Sequence, residues 1–284
     1  MKPAAFAYHR PETRAEALAL LAEHGEEAKI IAGGQSLVPA MNFRLARPPI
    51  LIDINAVPGL DGVREEAGQL VIGARTRHAT FEKPVTAGPL GTLLARVAAN
   101  IAHTPIRSRG SWGGSVSHAD PASEWCCVTR GLEAELVAES ATGRRSIPAA
   151  DFFQTIFTTA LRPDELLAEI RLPLFGPDWH CGFAEYARRA GDFALAMAVV
   201  ACRVEGGVIR EARVGLGGIA STPVTSPEAV AALLGQAPSP ALFAAAGAAG
   251  AAATDPDGDI HASGEYRQDL VKAMIRRALV QAFA

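Results

Sequence analysis

The apolar positions of this chain fall into short strand-like runs and helical spacings, and their character changes along its length. Near the start, Phe6-Ala7-Tyr8 predicts a short strand. Thr13-Arg14-Ala15-Glu16 has the form of a capping box, in which Thr13 and Glu16 satisfy free amides at a helix start. Leu18, Leu20 and Leu21 give that helix an apolar face, and Gly25 marks its end. Lys29-Ile30-Ile31-Ala32 reads as a buried strand entering Gly33-Gly34. Ile50-Leu51-Ile52-Asp53-Ile54 reads as a second strand after a short helical segment. Strand, helical crossover, strand is the pattern of a small parallel unit.

Gln69-Leu70-Val71-Ile72 predicts another strand, closed by Gly73. A helix is expected over residues 92–101, then a loop rich in His, Arg, Ser and Gly over 102–118. Asp120-Pro121 carries a helix-start signal, with Asp at the cap and Pro at the first position. Residues 132–137 and 169–172 have strand character. Leu174-Phe175-Gly176-Pro177-Asp178 is the clearest break, and a domain boundary is expected there. Beyond it, residues 199–204 and 208–216 predict a hairpin turned by Gly206-Gly207. Ala-rich helices follow, including the biased stretch 241–253, then a polar loop over 254–259 and a final helix over 266–283. No repeat of fixed period is present.

Composition narrows the classes. The chain has 284 residues, enough to bury a core without disulfides or metal. Lys plus Arg is 27 against 30 Asp plus Glu, a net charge of −3, which disfavours nucleic acid or an anionic membrane as the main partner. The stretch 241–253 is too short and too mildly apolar to span a bilayer, and the N-terminus lacks a secretory apolar region. A cytoplasmic address is expected. Cys126, Cys127, Cys181 and Cys202 contain no C-x-x-C pair and read as buried structural thiols, so no iron–sulfur centre is expected on this chain. The seven histidines lack H-x-x-x-H and H-E-x-x-H spacing, and no metal site is expected.

Two glycine-rich stretches carry candidate chemistry. Ala32-Gly33-Gly34-Gln35-Ser36-Leu37 sits where a strand turns toward a helix. Its glycines allow close approach of a ligand, and successive amides at a helix start make an anion cradle; a plain tight turn is the competing reading. Arg109-Gly110-Ser111-Trp112-Gly113-Gly114-Ser115 repeats the combination, and the two loops could face one another across a diphosphate. No Walker-type G-x-x-x-x-G-K is present, which removes nucleotide hydrolysis. Gly215-Leu216-Gly217-Gly218-Ile219-Ala220 matches G-x-G-x-x-A, but Thr222-Pro223 interrupts where a dinucleotide fold needs a helix. Glu124 could accept hydrogen bonds from ribose hydroxyls or simply provide favourable charge at a helix start. Arg188-Arg189-Ala190-Gly191-Asp192-Phe193 is a charged turn that could be solvated or hold a ligand phosphate.

Taken together, these stretches resemble a known family. The first glycine loop resembles its first flavin loop. Ile106-Arg107-Ser108-Arg109-Gly110-Ser111-Trp112-Gly113-Gly114-Ser115 resembles its second, which more commonly has Thr-Ile where Ser111-Trp112 stand here. Arg188 to Ala194 resembles its R-R-x-G-D-Y/F-A segment. Gly217-Gly218-Ile219-Ala220 and Glu265-Tyr266-Arg267 match C-terminal signatures. The family is that of the FAD-binding medium subunits of molybdenum hydroxylases, which includes the carbon monoxide dehydrogenase medium chain and the flavin domain of xanthine dehydrogenase. The resemblance implies an α+β architecture: two FAD-binding subdomains of the vanillyl-alcohol-oxidase type, over residues 1–55 and 56–176, then a C-terminal domain of small antiparallel sheet plus helices over 177–284. It implies non-covalent FAD. The implied contacts are Lys29, Ile30, Ile31, Ala32, Gly33, Gly34, Gln35, Ser36 and Leu37 on the first loop and its strand, with Gly110, Ser111, Gly113, Gly114 and Ser115 on the second. Glu124 would meet the adenosine part, Leu161 would lie near the flavin, Ile101 would hold another contact position just upstream of the second loop, and Arg188 and Asp192 belong to the charged turn. Phe193 stands where Tyr is frequent, and no acid–base residue is implied. The implied partners are a large molybdopterin subunit and a small iron–sulfur subunit with [2Fe–2S] clusters, this chain passing their electrons to a terminal acceptor. A free-standing FAD oxidoreductase and a scaffold whose glycine loops are only turns are the competing functions.

Overall fold

The computed structural model describes residues 2–284, beginning with β1 (Ala7–His9), α1 (Arg14–His24), β2 (Ala28–Ile31), α2 (Leu37–Asn42) and β3 (Ile50–Asp53). The capping box closes: Thr13 Oγ1 accepts from the Glu16 amide, and the Glu16 carboxylate accepts from the Thr13 amide. The strands make a parallel sheet in the order β1-β3-β2, with Ala7 and Ala28 both paired to Ile50. Ala17, Leu18 and Leu21 of α1 pack on Ala28, Ile52 and Ile54, and this small core continues into Leu166 and Ala168. The expected buried strand at residues 29–32 is corrected. Lys29 is exposed and Ile30 and Ile31 are half-buried, because β2 is an edge strand. Its outer face borders a cavity of about 150 Å³ shared with Val38, Met41 and Leu51.

The second unit runs through β4 (Val63–Glu66), β5 (Gln69–Gly73), α3 (Gly88–Asn100), α4 (Thr104–Arg107), α5 (Trp112–His118) and α6 (Glu124–Gly131). It then continues through β6 (Glu135–Ser140), β7 (Gly143–Pro148), α7 (Ala149–Phe152), β8 (Phe153–Thr155), β9 (Thr158–Thr159) and β10 (Leu166–Pro173). Five of its strands form an antiparallel sheet in the order β4-β5-β10-β6-β7, while β8 and β9 pair separately. Leu70, Ile72, Leu136 and Ile170 meet Leu90, Leu94 and Val97 of α3 and Trp112, Trp125 and Val128 of α5 and α6 in one core.

Three expectations shift here. Helix α3 starts at Gly88 rather than residue 92, with Pro89 in its first turn, where the missing N–H costs nothing. Residues 102–118, expected as loop, contain α4 and α5. Asp120 does not cap a helix: its Oδ1 accepts from the Ala122 amide at 2.9 Å in a local turn, and α6 begins only at Glu124.

The third unit contains β11 (Trp179–Tyr186), β12 (Ala196–Glu205), β13 (Val208–Gly217), β14 (Val224–Thr225), α8 (Pro227–Leu233), α9 (Pro240–Ala252) and α10 (Gly264–Ala282). Gly206 and Gly207, at φ 60° and 77°, turn the β12–β13 hairpin as the sequence requires. After Gly217 the chain turns into β14 rather than a helix, which removes the dinucleotide fingerprint. β12 is buried on both faces. Met197, Val199 and Ala201 join the core of the second unit, while Ala196, Ala198, Val200 and Cys202 face the helices. That double burial accounts for its unbroken apolar run. Among the described residues no helix is long and apolar enough to cross a membrane.

Candidate functional site

The two glycine loops meet. A Cβ on Gly33 would lie 2.8 Å from the Gly110 Cα and closer still to the Arg109 carbonyl oxygen, so only glycine lets the loops touch. Their donor groups differ. On the first loop, the amides of residues 33–37 donate to no backbone or side-chain acceptor among the described residues. On the second, the amides of residues 112–115 are committed: Trp112 to the Thr76 carbonyl, Gly113 to that of Ala74, Gly114 to Ser111 Oγ, and Ser115 to the Ser111 carbonyl. The first loop therefore presents a run of free donors suited to an anion, and the second forms a packed wall against it. Gly113 serves that packing, since a Cβ there would lie 2.5 Å from the Ala74 carbonyl oxygen.

A polar network ties the loops together. Asn55 Nδ2 donates to the Ala32 carbonyl at 2.7 Å and to Asp53 Oδ1 at 2.5 Å. Arg77 Nη2 donates to Asn55 Oδ1 at 2.5 Å, and its Nη1 donates to the Arg109 carbonyl. Tyr8 donates its hydroxyl to Asp53. None of these four side chains is marked by a sequence motif; the only hint is the Arg75-Thr76-Arg77-His78 cluster just after β5.

His78 is buried behind the second loop, where its Nδ1 accepts from Trp125 Nε1 at 2.9 Å. The neutral ring therefore carries its proton on Nε2, which faces Gly110. Burial, with Arg77 and Arg107 nearby, pushes its pKa from 6.5 down to about 4. Unfolded, the ring protonates near 6.5, so its contribution is complete above that pH and is lost as the pH falls toward 4. The full effect is about 3 kcal/mol. His78→Asn, which keeps an acceptor for Trp125, should remove most of this acid sensitivity in urea unfolding followed between pH 7 and pH 4.

Glu124 lies in the first turn of α6, and its carboxyl interacts electrostatically with Glu185 of β11. Burial raises both pKa values, to about 7 at Glu124 and about 8 at Glu185; the charge of Asp120 adds to the rise at Glu124, and that of Glu124 adds to the rise at Glu185. Glu185 Oε2 is buried without a hydrogen-bond partner. The stabilisation from protonated carboxyls is present at low pH and is lost as pH rises, opposite to His78.

The remaining candidates are dispersed around the loops. Lys29, Ile30 and Ile31 lead into the first loop, and Ile101 is buried at the C-terminal cap of α3, just before the second. Leu161 is half-buried against the second unit's core. Arg188 and Asp192 are exposed in their turn, but Gly191 brings that turn against His103, 2.6 Å from a Cβ position to Cε1. Phe193 is 72% exposed, so its side chain joins no packed cluster.

The chain is similar to known proteins over nearly its whole length. The family described as "FAD binding domain in molybdopterin dehydrogenase" matches residues 4–175, and "CO dehydrogenase flavoprotein C-terminal domain" matches residues 182–282. The chain is 39% identical to the 6-hydroxypseudooxynicotine dehydrogenase complex subunit alpha of Paenarthrobacter nicotinovorans, over 99% of this chain and 96% of that one. It is 36% identical to the carbon monoxide dehydrogenase medium chain of Hydrogenophaga pseudoflava, over 100% of this chain and 99% of the relative. The solved carbon monoxide dehydrogenase from Hydrogenophaga pseudoflava, lacking the Mo-pyranopterin moiety of its cofactor, superposes with a TM-score of 0.94 at 38% identity. That superposition covers 100% of this chain and 99% of the other.

Proposed function

Because the chain belongs to the family of FAD-binding medium subunits of molybdenum hydroxylases, we propose that it holds FAD non-covalently and serves as the electron-delivering subunit of a heteromeric complex. Its partners are a large molybdopterin subunit, which oxidises the substrate, and a small iron–sulfur subunit. When bound, FAD would supply the redox chemistry for relaying electrons from the [2Fe–2S] subunit to a terminal acceptor. This chain's residues bind and orient. The free amides of residues 33–37 donate to the diphosphate, with Ser36 as an added hydroxyl donor. Gly110, Ser111, Gly113, Gly114 and Ser115 form the opposing wall. Glu124 accepts from the adenosine ribose, Leu161 packs near the flavin, Ile101 holds another contact position just upstream of the second loop, and the Arg188–Asp192 turn lies at the edge of the site. No residue is assigned an acid–base role, because electron transfer needs none.

The convergence of the loops carries this reading: a run of unengaged amides stands where a Cβ on Gly33 would collide with the other loop. Three hydrophobic cores support a division into three units near residues 55 and 176, with Val57, Leu60, Leu166 and Ala168 reaching into the first core and Phe183 and Met197 into the second. Four buried, unpaired cysteines support a reducing, cytoplasmic setting. Purified from an expression host, the chain should show flavin absorption and release FAD on denaturation, at about one per chain after FAD is added. A chain that releases no FAD on denaturation, after FAD has been added and with both partner subunits present, would defeat the proposal.

A further inference from the structure

We infer that Arg77 and Asn55 are positioning residues: together they form a strut that sets the separation of the two glycine loops and so determines how tightly the diphosphate-bearing cofactor is held. The inference rests on the FAD reading above. Both ends of the strut grip carbonyls that immediately precede a key glycine. Asn55 holds Ala32, before Gly33, and Arg77 holds Arg109, before Gly110. The two Arg77 nitrogens belong to one planar fork, so the spacing between its two acceptors is fixed. Asn55 is itself fixed, since its amide and its Nδ2 both donate to Asp53 Oδ1, at 2.8 Å and 2.5 Å. Asp53 in turn accepts from Tyr8.

The surroundings argue that geometry, rather than charge, is what this position supplies. Burial first, and then the nearby Arg75 and Arg109, disfavours the Arg77 cation, with Asp61 and Asp53 as the opposing charges. Arg75 is engaged with Asp61 at 2.8 Å. A cation here is held against repulsion, which a residue needed only for positive charge would not require. A lysine would keep the charge and lose the fork.

The test is FAD titration of the full chain, with thermal unfolding recorded without FAD. Arg77→Lys and Asn55→Asp should each weaken FAD binding about tenfold or more, with thermal midpoints close to the parent. Asn55→Asp breaks the bond to Ala32 but also sets a second carboxylate beside Asp53 and the anionic diphosphate, so Arg77→Lys, which keeps the charge and loses the fork, is the variant that separates geometry from charge. The double variant should be no weaker than the poorer single one, because either change breaks the same strut. Parent-like affinity in Arg77→Lys, additive losses in the double variant, or lowered midpoints with unchanged affinity would each overturn the inference. A parent chain that takes up no FAD would instead remove the functional reading. Uptake by the parent with an unaffected Arg77→Lys removes the strut alone.

Discussion

Gly33→Ala will cost the chain about a hundredfold in FAD affinity while leaving it folded. The new methyl group would sit against the Arg109 carbonyl and 2.8 Å from the Gly110 Cα, both backbone atoms that cannot rotate aside. The loops must separate by about an ångström, and displacements of that size typically cost about a hundredfold where several groups must meet one ligand. The stability loss should be smaller, about 1–3 kcal/mol, because Gly33 is only half-buried and the strain falls on surface loops. Gly113→Ala makes the useful contrast. Its Cβ would strike Ala74 in the packed wall, so the thermal midpoint should fall more than affinity does. Titration and calorimetry on both variants separate the cases. A Gly33→Ala chain that binds FAD normally would mean that the loop junction is not part of the site.

Trp112→Ala will produce the largest loss of stability, about 3–5 kcal/mol. Trp112 is fully buried and stacks on Trp125 with ring centroids 3.8 Å apart and planes 13° from parallel. Phe81 meets it edge-on at 4.9 Å. Its Nε1 donates to Thr129 Oγ1 at 3.1 Å, so truncation opens a cavity and strands a buried hydroxyl. Trp112→Ile, the residue more common in the family at this point of the second loop, should lose less because it refills part of the volume. Urea unfolding measures both, and a loss under about 1 kcal/mol for Trp112→Ala would contradict the packing argument. Near-ultraviolet circular dichroism should also lose the signal of the stacked indoles.

The glycine loops were legible in the sequence because each motif is short and its residue types have few other uses together. The capping box at Thr13 and the Gly206-Gly207 hairpin were legible for the same reason: local chemistry decided them. The strut was not. Arg77 and Asn55 are 22 positions apart and bond to carbonyls on two other segments, a relation that no periodicity records. β4 and β7 escaped because their exposed positions are filled by residues such as Arg64, Glu65, Arg144 and Ser146, and edge strands of that kind lack an alternating apolar signal. The start of α3 was available in Gly88-Pro89. The start of α6 was not, because Asp120 has the chemistry of a cap and spends it on a turn.

β12 gives this architecture a thermodynamic property of its own. Family boundaries divide the chain near residue 180, yet this strand contributes one row of side chains to each of the two larger cores. Neither core can open alone without uncovering the apolar face that the strand presents to it, so partial unfolding on either side forfeits contacts needed by the other. The second and third units are therefore coupled as one cooperative block, and the slowest-exchanging amides should lie in the strand they share.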